Sequence, residues 1–165
     1  MKSLSTMSTT FTHPPRPPSL TISKACTYKT VSTTSKSISI PIDIYLPPNP
    51  PKNDVPHPIM LFIHGGGWTG GNRTDYCRPL FHRFLAQNFI VASMDYRLLP
   101  ETPLAGQLED IRDVEPWLRG QLAPLLKADG FDVEVENGEI VVVGASAGAH
   151  LALLTVRSPL PFPST

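Results

Sequence analysis

Apolar residues recur along this chain in distinct rhythms, and each rhythm predicts a different element. From Ile38 to Leu46, the residues Ile38, Ile40, Ile42, Ile44 and Leu46 alternate with Ser39, Pro41, Asp43 and Tyr45. A period of two gives a strand over 37–46 with one buried face. Pro41 has no N–H to donate to a ladder, which places this strand near a sheet edge. A weaker pattern over 21–31 is read as a second strand pairing with it. From Pro58 the rhythm changes to short unbroken apolar runs at 59–63, 89–94 and 140–143. Runs of that length suit strands covered on both faces.

Helical spacing fills the gaps between those runs. Cys77, Leu80, Phe81, Phe84 and Leu85 recur at i, i+3, i+4, i+7 and i+8, with Asn88 placed to end the helix. Leu104, Leu108, Ile111, Val114, Leu118 and Leu122 form a longer stripe, with Glu109 and Asp110 read on its exposed side. Before Asn137-Gly138, Phe131, Val133 and Val135 alternate with Asp132, Glu134 and Glu136, which fits either a small hairpin or an acidic surface loop. Alternating strands and helices imply a parallel sheet with right-handed crossovers. The fold class is therefore α/β: a mostly parallel sheet with an antiparallel N-terminal edge and helices on both faces. Residues 21–165 are assigned to one domain, and the Pro/Ser/Thr-rich residues 1–20 to a flexible tail.

Charge narrows the range of partners. With 14 basic and 14 acidic residues the net charge is zero, so neither nucleic acid nor an anionic membrane is expected, and a small neutral or apolar ligand suits the chain better. Its longest apolar runs are far shorter than a membrane span. Cys26 and Cys77 lack metal-ligand spacing, so no metal site or disulfide framework is expected. The first residues carry no apolar core of signal-peptide length, and Pro14, Pro15, Pro17 and Pro18 would break a transit-peptide helix. A cytoplasmic location is the resulting expectation.

Two glycine-rich segments carry the candidate chemistry. Gly144-Ala145-Ser146-Ala147-Gly148 matches G-x-S-x-G between a buried strand and the apolar helical stretch Leu151–Leu154. At such a strand-to-helix turn the flanking residues must be small, and the serine hydroxyl is lifted clear of the sheet. The helix beginning there has unpaired N–H groups, Ala147 supplying the first, aimed where an oxyanion would form. His64-Gly65-Gly66-Gly67-Trp68 follows the strand at 59–63, and its glycines let backbone amides face a ligand unobstructed. His64 is read as a brace for that loop rather than as a base, and Trp68 as a candidate pocket wall. Asp95, Tyr96 and Arg97 are read as a buried polar brace beneath the site.

Taken together, His64–Trp68, Asp95-Tyr96-Arg97-Leu98-Leu99-Pro100-Glu101 and Gly144–Gly148 resemble the hormone-sensitive-lipase-like branch of the α/β-hydrolases. The resemblance runs from about Ile38 to Thr155. It implies a carboxylesterase or deacylase working through an acyl-serine on Ser146, with Gly66, Gly67 and Ala147 as oxyanion donors, His64, Gly65, Gly144 and Gly148 as motif support, and no cofactor. The substrate implied is a small acyl ester or related molecule.

The sequence departs from the family after the nucleophile, where the family carries its acid and histidine. Between Ser146 and Thr165 there is no Asp or Glu, and the only histidine is His150, placed along the helix that starts under the serine. A serine without a base is a weak nucleophile. The chain is therefore expected to be the N-terminal portion of the fold, lacking the C-terminal strands, inactive alone and self-associating through its open sheet edge. A non-catalytic ligand-binding or regulatory protein that keeps the pocket is the rival expectation. Complementation by a second chain is a third.

Overall fold

The computed structural model describes residues 17–33, 36–48 and 55–157. Among these, β1 (Lys24–Ser32), β2 (Ser37–Tyr45), β3 (His57–Ile63), β4 (Ile90–Met94) and β5 (Val135–Gly144) form one sheet in the order β1-β2-β4-β3-β5. β3 runs parallel to β4 and β5, while β1–β2 and β2–β4 are antiparallel. The helices are α1 (Arg78–Ala86), α2 (Leu104–Ala128) and α3 (Ala147–Arg157). This is the α/β arrangement expected, with its antiparallel part at the N-terminal edge. Of the tail assigned to 1–20, residues 1–16 lie outside the described residues. Residues 17–20 meet the domain, where Pro18 O lies 3.0 Å from His82 Nε2 and Leu20 packs against the apolar cluster that includes Phe81 and Leu85.

Covering both faces explains the unbroken apolar runs. Ile59, Leu61, Ile63, Ile90, Ala92 and Met94 face one core, closed by Leu108, Ile111, Val114, Leu118 and Leu122 of α2 and Leu151 of α3. Met60, Phe62 and Val91 face the other, closed by Phe81 and Leu85 of α1. Burying each such side chain contributes about 1.5–3 kcal/mol before chain entropy is set against it. Helix α1 ends where the sequence indicates: Asn88 takes a left-handed φ of 62°, and the Phe89 N–H reaches back to Phe84 O at 3.1 Å.

Two details differ from the reading of the sequence, and two others add to it. Pro41 lies on a strand with neighbours on both sides, at a place where the β1 register shifts between Thr27 and Lys29 and beyond the last β2–β4 pair, Ile42–Met94. A missing donor is tolerated at such an irregularity. Helix α2 continues past Pro116 and Pro124 to Ala128; both prolines are exposed, where water substitutes for a lost N–H partner. No hairpin forms at Asn137-Gly138. The pair lies within β5, where the register against β3 shifts between His57 and Ile59 while β5 advances from Val135 to Ile140. Asp110 is fully buried rather than exposed. It accepts hydrogen bonds from Arg97 N, Nε and Nη2 at 3.0, 2.8 and 2.8 Å and pairs with Lys29 at 2.8 Å. Burial alone would lower the Lys29 pKa, but its bonds to Asp110 and Asp113 outweigh that and raise it.

Candidate functional site

The C-terminal ends of the neighbouring parallel strands β3 and β5 set the site. Leaving β5, the chain turns through Ala145 and Ser146 directly into α3. Ala145 N donates to Ile63 O at 3.0 Å, tying the turn to β3. Ser146 is exposed and holds φ 49°, a left-handed conformation that a serine adopts only when its surroundings enforce it. Helix α3 packs hard against β3 behind it: a Cβ on Gly148 would lie 2.2 Å from Ile63 O and 2.4 Å from His64 O. Gly144 is similarly hemmed in by the Ala149 backbone N at 2.4 Å. The Gly148, Ala149 and His150 amides donate to Ala145 O, Ser146 O and Ser146 O at 2.8, 3.0 and 3.2 Å. Ala147, the first and buried residue of α3, keeps an N–H which that ladder does not take up.

The glycine loop leaves β3 beside this turn. A Cβ on Gly65 would sit 2.9 Å from Ala145 O and 3.3 Å from the Ser146 Cβ, so the two motifs touch. Gly66, Gly67 and Trp68 follow with φ of 115°, 62° and 64°. Gly66 admits no side chain, since a Cβ would lie 2.0 Å from Gly70 O. Its carbonyl accepts from Thr69 N and Gly70 N at 3.2 and 3.0 Å. His64 is fully buried, with Nδ1 2.7 Å from Gly65 O and its ring stacked on Tyr96 at 4.4 Å between centroids. The Tyr96 hydroxyl donates to His64 O at 3.1 Å, and burial pushes its pKa up to about 12. The Trp68 indole meets the exposed His150 ring edge-on at 5.5 Å. Among the described residues Ser146 Oγ has no hydrogen-bond partner.

Below this surface an ionic layer holds the loop after Gly71. Arg73 N and Nη1 donate to the Asp95 carboxylate at 2.6 and 2.8 Å, and Ser93 Oγ donates to Arg73 O at 2.7 Å. Arg73 Nε also stands 3.0 Å from fully buried Asp43, a charge pair without hydrogen-bond alignment. Burial alone would lower the Arg73 pKa, but the two carboxylates outweigh it and raise it. Sequence reading assigned polar roles to Asp95, Tyr96 and Arg97 but overlooked Arg73, Gln107 and Asp110. Gln107 is fully buried in the first turn of α2 and donates from Nε2 to Trp68 O at 3.0 Å. Its position between Leu104 and Ile111, on the apolar side of the helix, was the available signal. His57 opens β3, buried with Nδ1 2.7 Å from Asn88 O. Among the described residues no group of three or more His, Cys, Asp or Glu could hold a metal, and no helix is long and apolar enough to cross a membrane.

The strand order and the strand–turn–helix at Ser146 define an α/β-hydrolase fold. Solved esterases share it. A bacterial heroin esterase superposes with a TM-score of 0.64 at 26% identity, covering 81% of this chain and 38% of its own. Esterase 2 of Thermogutta terrifontis superposes at 0.63, with 23% identity and coverage of 91% and 53%, a likeness of fold alone. Among curated relatives, the non-reducing polyketide synthase stbA of Stachybotrys bisbyi is 41% identical over 117 residues, 70% of this chain and 5% of the synthase. The non-reducing polyketide synthase atr1 of Stereocaulon alpinum is 43% identical over 100 residues, 59% of this chain and 4% of the synthase. The chain thus spans a small fraction of those relatives and about half or less of these esterases. The BD-FAE family model matches residues 42–158, and the chain belongs to that family. The hormone-sensitive-lipase-like resemblance drawn from the motifs agrees with these findings.

Proposed function

We propose that this segment supplies the nucleophile and oxyanion donors of a carboxylesterase or deacylase, with Ser146 carrying the acyl group. The observation that carries the reading is the contact between the two motifs: an exposed, left-handed Ser146 with Gly65 packed against its Cβ. In this reading Ser146 Oγ adds to the ester carbonyl while its proton passes to a general base. The N–H groups of Gly66, Gly67 and Ala147 hold the developing oxyanion, a donor of this kind being worth about 3 kcal/mol of barrier. Collapse expels the alcohol with a returned proton, and water then frees the acid from the acyl-serine. Membership in an esterase-bearing fold and the kinship with polyketide synthases both support an acyl compound as substrate.

The Ser146 hydroxyl, without a hydrogen-bond partner among the described residues, favours a second reading, in which the site binds an acyl ligand without turnover. Incubation of the chain and its Ser146→Ala variant with p-nitrophenyl acetate and a fluorophosphonate probe, followed by mass spectrometry, separates the two. Acylation and phosphonylation concentrated on Ser146 and absent from S146A support the hydrolase. Saturable ligand binding that survives S146A, with no adduct on Ser146, rejects it in favour of the binder.

A further inference from the structure

The run Gly66–Gly67–Trp68 holds three successive positive φ values, and the third belongs to a bulky residue for which that region is unfavourable. Such a backbone keeps its shape only when tied from outside. The bonds from Thr69 and Gly70 to Gly66 O are local to the loop. Ties from elsewhere converge on the Trp68 carbonyl, which accepts Leu99 N at 2.9 Å and Gln107 Nε2 at 3.0 Å. Gln107 makes this contact from the first turn of α2 while its own Oε1 is buried without a partner among the described residues. An unpartnered buried acceptor is a cost that an apolar side chain of similar size would avoid. The amide N–H is therefore the part of the side chain that serves the structure. Neighbouring Gly106 supports this placement: a Cβ there would lie 2.6 Å from Thr102 Cγ2 and 3.4 Å from Arg97 Nη2.

From this geometry we infer that Gln107 is a positioning residue: its donation to the Trp68 carbonyl locks the left-handed loop beside Ser146. The same bond fixes where the Gly66 and Gly67 amides point and holds the Trp68 ring against His150. The functional consequence, though not the bond itself, rests on the hydrolase reading above.

Amide hydrogen exchange on the full chain tests the inference. In Gln107→Met, which keeps the length but loses the donor, exchange at Thr69 and Gly70 is expected to quicken at least tenfold, with Leu61 and Ala92 in the strands unchanged. Wild-type rates at Thr69 and Gly70 would overturn the inference. Should Q107M fail to fold, Gln107→Glu replaces it: a protonated carboxyl donates to Trp68 O and an ionised one does not. Loop protection relative to wild type is then expected at pH 5 and lost more than tenfold at pH 9; an equal ratio at both pH values overturns the inference. Fluorophosphonate labelling on the same samples separates the two layers. A loosened loop with no labelling of wild-type Ser146 leaves the positioning role standing and removes the hydrolase reading, whereas an unchanged loop removes the positioning role whatever the labelling.

Discussion

Replacing Gly148 by alanine tests the close approach of α3 to β3 that supports the Ser146 turn. In an unconstrained helix the change would stabilise by up to about 1 kcal/mol, because alanine has the higher helix propensity. Here the added Cβ would stand 2.2 Å from Ile63 O and 2.4 Å from His64 O, both backbone atoms at the end of a central strand. Relief requires α3 to withdraw by roughly 1 Å, which also stretches the 3.0 Å bond from Ala145 N to Ile63 O. Overpacking of this kind costs about 1–3 kcal/mol, and rigid backbone on the opposing side puts it at the upper end. A net loss of about 2 kcal/mol is expected. The control is Gly120→Ala, exposed in α2 with nothing within 4 Å of its new Cβ, which is expected to gain about 1 kcal/mol. In urea denaturation followed by circular dichroism, with a slope near 1.5 kcal/mol/M, the midpoint falls by about 1.3 M for G148A and rises by about 0.7 M for G120A. A G148A midpoint at or above wild type with an unchanged slope would refute the packing argument.

Three further outcomes follow from other contacts. Tyr96→Phe removes the hydroxyl bond to His64 O and is expected to cost about 1 kcal/mol at neutral pH. Because the Tyr96 pKa is raised from 10 to about 12 on folding, its stabilising protonation is complete below pH 10 and lost as pH climbs towards 12; the fall in urea midpoint across that window should be shallower in Y96F. Asp110→Ala strands Arg97 and Lys29 in half-buried positions and should lower stability by about 3 kcal/mol by the same assay, with Glu109 and Asp113 limiting the loss. Gly66→Ala, blocked by Gly70 O at 2.0 Å and by its φ of 115°, should leave far-ultraviolet dichroism intact while abolishing fluorophosphonate reaction at Ser146; undiminished labelling would count against the loop as an anion cradle.

The sheet was legible because its strands carry strong local signals. Ile38 to Leu46 alternates cleanly, and the run at 59–63 is apolar on both faces, so neither depends on distant sequence for its reading. The same holds for the Ser146 turn, whose small flanking residues are required wherever a strand folds straight into a helix. What escaped was decided by tertiary distance. Asp110 looks like a surface acid beside Glu109 until Arg97 and Lys29 are placed against it. Asn137-Gly138 reads as a hairpin turn by its letters, yet the neighbouring β3 draws it into β5 as an irregularity in register. Arg73 and Gln107 bond to residues far along the chain, and no local periodicity records such a bond.

The adjacency of β3 and β5 separates what chemistry demands from what evolution and design can vary. Both segments at the candidate site leave neighbouring strand ends, so their mutual placement depends on a single ladder, from Ile59–Ile140 to Ile63–Gly144. Of what lies between them in sequence, Arg73, Tyr96 and Gln107 brace the glycine loop, whereas the C-terminal end of α2 has only to bring the chain back to that ladder. Residues inserted at the turn Asp129–Gly130, at the far end of α2, should leave the Gly65–Ser146 contact where it is. Length polymorphism among relatives is thus expected to collect there, and a reporter peptide grafted at that turn has a place to sit that does not disturb the serine.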